Sequence, residues 1–243
     1  MEKMALRAIL FDLDGTLLPM DQDTFLKAYF KGITTKMMPY GYDPNELIKA
    51  IWAGTEAMVR NDGSRQNEAA FWDCFAQKFG EQAKNDIPMF DEFYRVEFQD
   101  VQKVCGFNKE AVAALEKLKS AGFKLALATN PLFPSVAIES RIKWAGIDPD
   151  VFELYTTYEN SRFSKPNPAY YADIAETIGC TPEECLMVGN DVGEDMSAQE
   201  AGMDVFLLTD CLINKGEADI SVYPQGSFKE LLEYVGKEEA DVR

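Results

Sequence analysis

Ala8-Ile9-Leu10-Phe11-Asp12-Leu13-Asp14-Gly15-Thr16-Leu17 is an apolar run that stops at two carboxylates one residue apart, with glycine directly after them. A short continuous apolar run bounded in this way reads as a strand buried on both faces. Ending such a strand on Asp-x-Asp-Gly is poor design for packing alone, because a buried carboxylate without a partner is costly. The ending makes sense where a cation and an anionic substrate meet at the strand's carboxyl end.

Working outward from that strand, the hydrophobic period changes. Phe25, Tyr29, Ile33 and Met37 recur every four residues and predict a helix. Asp43-Pro44-Asn45-Glu46 reads as an N-cap, a first-turn proline and a capping box ahead of Leu47, Ile48, Ile51, Trp52 and Val59. Phe71, Trp72, Phe75 and Phe79 mark a third helix, and Phe90, Phe93, Tyr94, Phe98 and Val101 a fourth. Trp52 and Trp72 lie on these apolar stripes and read as core packing. No strand interrupts the series, so residues 18–106 are expected to form a helical subdomain.

Beyond it, Asn108 is expected to cap a helix that buries Val112, Leu115 and Leu118 and closes at Gly122. Strands are then predicted at 124–129, 152–155, 185–188 and 205–208. Helices are predicted at 135–145, 169–178 and 195–201, with a last one opening at Ser227 and its capping-box partner Glu230. Strands alternating with helices argue for an α/β fold, a parallel sheet covered on both faces. Residues 1–17 and 107–243 would form that core, interrupted by the helical insert.

Bulk properties narrow the functional classes. Apolar residues make up 47 % of 243 and aromatics 12 %, enough for a substantial core. Lys plus Arg number 24 against 41 Asp plus Glu, a formal charge of -17. A nucleic acid polymer would be repelled over most of such a surface, whereas a small anion can still bind where a metal and local donors overcome the background. Arg60, Arg65 and Lys36 in the insert read as ordinary surface cations. Five scattered cysteines, no leader-like segment and no long apolar span suggest a reduced, cytoplasmic protein without a membrane anchor. No obligate protein partner is implied. The chain has no histidine, which removes His-based triads, His-ligated zinc and imidazole acid–base chemistry. Carboxylates and lysine are left to carry any catalysis.

Four polar sites end or follow predicted strands: Asp12 to Thr16, Thr129-Asn130, Lys165-Pro166, and Gly189-Asn190-Asp191 with Asp195. The carboxyl ends of parallel strands share one edge of the sheet, where ligands bind. Asp12, Asp14 and Asp191 gathered there would repel one another unless a cation neutralised them. All-oxygen ligation favours Mg²⁺ over zinc. Thr129 can donate its hydroxyl to a phosphoryl oxygen, with Asn130 and nearby backbone N–H groups completing the cradle. Lys165 can offset developing charge.

These motifs, in this order over about residues 6 to 210, resemble those of the haloacid dehalogenase-like hydrolase superfamily. Asp12-Leu13-Asp14-Gly15-Thr16-Leu17 resembles the first motif, Thr129 the second, Lys165 with Pro166 the third, and Gly189-Asn190-Asp191 through Asp195 the acidic fourth. The resemblance implies a Rossmann-like core and makes the insert a helical C1 cap. It implies that Asp12 attacks phosphorus to give an aspartyl-phosphate, while Asp14 protonates the leaving oxygen and then assists water. Mg²⁺ would bind the Asp12 carboxylate, the Asp14 backbone carbonyl and Asp191. Asp195 would be a ligand, an acceptor for bound water, or a group orienting Lys165. One departure stands out: the fourth motif more often begins Gly-Asp, and here Asn190 occupies that position. Either Asp191 keeps the ligand's task one residue on, or Asn190 supplies an amide oxygen. The second carboxylate of motif one argues against dehalogenation, which has no leaving oxygen needing a proton. A phosphatase acting on a small phosphorylated metabolite is expected; a sugar phosphomutase and a noncatalytic phosphate-binding protein are the alternatives.

Overall fold

The computed structural model describes residues 5–241. Its centre is β1 (Ala8–Phe11), all four residues fully buried. β1 lies between β2 (Lys124–Leu127) and β4 (Cys185–Gly189); β3 (Leu154–Tyr155), β5 (Asp204–Leu208) and β6 (Gln225–Gly226) extend the sheet outward. The order is β3-β2-β1-β4-β5-β6 and every pairing is parallel. Chain order reverses between β1 and β4, which opens a crevice at their carboxyl ends, the usual ligand position in such sheets. Two-residue β6 was absent from the sequence reading because so short a strand carries no period.

Alternation along β1 divides the core. Ile9 and Phe11 face α5 (Lys109–Ser120), α6 (Ser135–Trp144) and α8 (Phe228–Asp241). Ala8 and Leu10 face α7 (Pro168–Thr177) and the 3₁₀ segment Asp195–Ala201. Burying each large side chain contributes roughly 1.5–3 kcal/mol, so the central strand is strongly fixed. The expected caps form: Asn108 accepts from the Glu110 N–H, and Ser227 donates its N–H and hydroxyl to the Glu230 carboxylate.

The insert consists of α1 (Gln22–Met37), α2 (Pro44–Val59), α3 (Asn67–Phe79) and α4 (Ile87–Arg95), followed by 3₁₀ turns over Glu97–Val104. Chain entry and exit lie side by side, with the Gly106 N–H donating to the Pro19 carbonyl at 2.7 Å. The fourth expected helix is broken in two at exposed Val96; Gln99 turns back to donate to the Tyr94 carbonyl at 2.9 Å. Asp43 caps α2 as expected, but Glu46 turns outward to Lys49 and Lys78 instead of closing a capping box. Cap and core share one continuous apolar cluster: Phe133, ahead of α6, packs its ring on Phe25 and Tyr29 of α1. Among the described residues no helix is long and apolar enough to cross a membrane.

Candidate active site

Asp12 follows β1 directly, and its N–H is still held by the Val188 carbonyl of β4 at 2.9 Å. Its carboxylate therefore emerges where β1 and β4 diverge. Lys165, 1 % exposed, reaches it across the crevice: Nζ donates to Asp12 Oδ1 at 2.8 Å and to Asp195 Oδ1 at 2.6 Å. Burial alone would lower the lysine pKa, but the two carboxylates outweigh it and push the value well above normal, so Lys165 stays an ammonium. Asp195 Oδ2 accepts the Asp191 N–H at 2.9 Å. Both Asp195 oxygens thus carry a hydrogen bond, one of them from Lys165.

Asp14 has a different neighbour. Its Oδ2 is paired with Arg141 Nη1, and Arg141 is fully buried on α6. Burial drives the Asp14 pKa up, Arg141 pulls it down and Asp12 pushes it up again; the net direction is upward. The Arg141 guanidinium lies 4.5 Å from the Phe133 ring centre, which adds a cation–π contact. Sequence reasoning missed Arg141, because it sits on a helical face with no motif around it. The only available signal was an arginine one turn from Ile138 and beside Ile142, on a face otherwise apolar.

Two glycines make the close packing possible. Gly15 has φ +87°, and a Cβ there would overlap the Asn190 amide. At Gly189 a Cβ would overlap the Asp195 carboxylate. Asn190 accepts from Thr16 Oγ1 at 3.0 Å and donates to the Cys211 carbonyl at 2.6 Å, so it ties the first and fourth motifs together. Asp191 Oδ1 accepts the Gly193 and Glu194 N–H groups.

Thr129 is buried, and its carbonyl is held by the hydroxyls of Thr156 and Tyr170, each at 2.7 Å. Asn130 turns one side-chain N–H to Glu194 Oε2 at 3.1 Å and keeps the second Nδ2 proton for another acceptor. Thr156, Tyr170 and Glu194 were not singled out from sequence, since each acts through a tertiary contact.

Asp12, Asp14, Thr129, Asn130, Asn190, Asp191, Glu194 and Asp195 line one cavity of about 310 Å³. Five carboxylates there outnumber the two buried cations, Lys165 and Arg141, that pair with them. That excess of hard oxygen donors suits a divalent cation. Among the described residues no three Asp, Glu or Cys side chains converge as a metal cluster.

Trp72 is buried as expected, but it also lines this cavity. Trp52 is not core: it is 47 % exposed on the cavity wall. Arg60, Arg65 and Lys36 lie outside it, paired with Glu56, Asp73, and Glu92 with Glu97 respectively.

Residues 6–202 match the haloacid dehalogenase-like hydrolase family. The chain belongs to that family. It is 29 % identical over 206 residues to a phosphoglycolate phosphatase of Psychrobacter arcticus, covering 83 % of this chain and 82 % of the relative. It is 27 % identical over 204 residues to hexitol phosphatase A of Escherichia coli, again covering 83 % and 82 %. A crystal structure of a haloacid dehalogenase-like phosphatase from Thermococcus onnurineus superposes with a TM-score of 0.60 at 19 % identity, covering 95 % of this chain and 98 % of that one. Membership makes the protein a hydrolase with the family's helical cap, in agreement with the motif order of the sequence.

Proposed function

We propose that the protein is a Mg²⁺-dependent phosphatase that hydrolyses a small-molecule phosphate monoester through an aspartyl-phosphate on Asp12. The reading rests on one contrast: two carboxylates of a single motif open on one cavity but pair with different buried cations, Asp12 with the Lys165 ammonium and Asp14 with the Arg141 guanidinium. Carboxylates held apart in this way can divide nucleophilic and acid–base work. The names of the phosphoglycolate and hexitol phosphatases support phosphate esters as the substrate class.

In the first step an Asp12 carboxylate oxygen bonds to phosphorus as the ester P–O bond breaks, and Asp14 gives its proton to the departing alkoxide. Lys165 holds Asp12 Oδ1, which leaves Oδ2 to face the substrate. In the second step water attacks the aspartyl-phosphate, Asp14 takes the water's proton, and inorganic phosphate leaves with the Asp12 carboxylate restored. Thr129 Oγ1, the N–H groups after β2 and Lys165 would bind the phosphoryl oxygens. The Asp12 carboxylate, the Asp14 backbone carbonyl and Asp191 would hold Mg²⁺, with Asn190 Oδ1 as the alternative third ligand. When bound, the ion would offset the negative charge of the carboxylates and the phosphoryl group.

The test is release of inorganic phosphate from a panel of sugar, nucleotide and short organic-acid phosphates, with and without Mg²⁺. Release that requires the ion and disappears in Asp12→Asn is the expected result. Phosphate moving between positions of a sugar without release would replace hydrolysis by mutase chemistry. No turnover of any ester would leave the fold without this activity.

A further inference from the structure

The cavity that begins at Asp12 does not end at the charged edge. It runs up under the cap, where its walls change character: Tyr29 and Phe30 of α1, Trp52 of α2, Phe71 and Trp72 of α3, and Phe133 of the core are among its aromatic lining. The rings brace one another, with centroids 5.5 Å apart for Phe30 and Trp52, 5.1 Å for Phe71 and Trp72, and 5.4 Å for Tyr29 and Phe133. Among the described lining residues Lys215 is the one lysine or arginine, and it stands in the loop after β5 beside the fourth motif, not under the cap. A second anionic group on the substrate, such as a carboxylate, would find no cation lining this upper half, since the Arg141 guanidinium lies fully buried behind Phe133 and is paired with Asp14. A chain of hydroxyls would meet only Gln22, Thr55 and Tyr158 beside the Tyr29 and Tyr94 hydroxyls, which bond to each other at 2.9 Å, against a wall made mainly of rings. Trp52, nearly half exposed on this wall, is a large apolar surface that a bound group would cover.

We infer that the leaving group of the substrate is apolar and ring-bearing, an arylalkyl or comparably flat alcohol, and that Trp52 helps select it. The inference rests on the phosphatase reading for its position next to Asp12. Its recognition chemistry is separate: ring stacking and desolvation of an apolar body. It also sets this chain apart in substrate class from relatives whose names specify glycolate or hexitol phosphates.

The experiment compares 2-phenylethyl phosphate, ethyl phosphate and phosphoglycolate, all of them alkyl esters, so that the chemistry of the departing oxygen is held similar. Turnover with Mg²⁺ is measured alongside calorimetric binding of the same esters to Asp12→Asn. The inference expects kcat/KM for 2-phenylethyl phosphate to exceed both others by at least about tenfold, with tighter binding in the calorimeter. Trp52→Ala should shrink the phenylethyl-to-ethyl ratio by about tenfold, mainly through KM. Equal turnover of the three esters, or preference for phosphoglycolate, overturns the inference and leaves the phosphatase standing. Absent turnover with selective binding of the phenylethyl ester overturns the phosphatase and keeps the apolar site. Absent turnover with no selective binding overturns both.

Discussion

The two halves of one cavity are built by opposite means. At the sheet edge, charge is buried and every important group is held by a named partner: Lys165 by Asp12 and Asp195, Asp14 by Arg141, Asn190 by Thr16 and Cys211. Under the cap, the walls are rings held by edge and tilted contacts, with few directional bonds. Directional ionic contacts fix atoms to fractions of an ångström, as a reaction requires. Ring contacts fix volume and polarity but tolerate change, which lets specificity shift while chemistry stays.

The largest expected effect lies at the edge. Asp12→Asn should lower phosphate release on the order of 10⁴-fold or more, with the fold kept because Lys165 retains Asp195. Circular dichroism and a denaturant melt beside the assay check both halves of that statement. Chelation of the wild type should abolish release reversibly, with Mg²⁺ restoring it; activity that survives exhaustive chelation would remove the ion from the reaction.

Arg141→Met comes next. It leaves half-buried Asp14 without its cation, a loss that should stay below the about 3–5 kcal/mol of a fully buried pair. Burial already raises the Asp14 pKa and Arg141 opposes that, so the variant's carboxyl should titrate higher still. The folded state then binds a proton that the unfolded chain has released, and stability falls as pH rises from the ordinary carboxylate value of 3.8 toward the raised folded value. Denaturant melts should therefore show the smallest deficit in acid and a deeper one as pH rises through that window. The alkaline limb of kcat/KM should move upward. A pH-independent deficit would mean that Arg141 acts through packing on Phe133 alone.

What sequence disclosed follows the same division. The edge was legible because Asp12, Thr129 and Asp191 lie just past strand ends, and Lys165 stands beside a proline in the loop ahead of α7. Asp195 was legible by spacing, though its commitment to Lys165 and the Asp191 N–H needed the structure. Arg141 was hidden because its partner is 127 residues away in sequence and its helix reads as ordinary. The cap's helices were legible from their four-residue spacing, but their cavity was not. Period shows which side chains are apolar, not whether they meet one another or empty space, and so Trp52 read as core. The break at Val96 escaped for the related reason that apolar spacing continues through it.

Where the two halves meet, Asn67 is fully buried at the start of α3. Its Nδ2 donates to Ser164 Oγ at 3.1 Å in the core, its Oδ1 accepts from Asn61 at 2.9 Å, and its N–H donates to the Ser161 carbonyl at 2.8 Å. Asn67→Ala keeps the backbone bond but leaves Asn61 Nδ2 with only its bond to the Arg65 carbonyl and Ser164 Oγ without its donor, and should cost roughly 1–3 kcal/mol in a denaturant melt. If the edge is rigid on its own account, turnover of a small ester should suffer less than stability does. Parallel losses would show that the cap's seating sets the edge.

Tyr29→Phe should have the smallest effect. One phenol donates to the other across 2.9 Å, and burial pushes Tyr29 up to about 12 and Tyr94 well above its usual value, so both remain neutral at any working pH. Removing one hydroxyl exchanges a neutral hydrogen bond for a ring of nearly the same shape, at about 1 kcal/mol. The variant decides what the pair does in a cavity otherwise lined by rings. If the hydroxyls only satisfy each other, stability falls slightly and ester preference stays, because the apolar wall is intact. If the spare phenolic proton of the pair binds the leaving group, KM for the preferred ester should rise while the melt barely moves. That second outcome would give the cap one directional contact of the kind found at the sheet edge, and the contrast between the two halves would narrow to a difference in number.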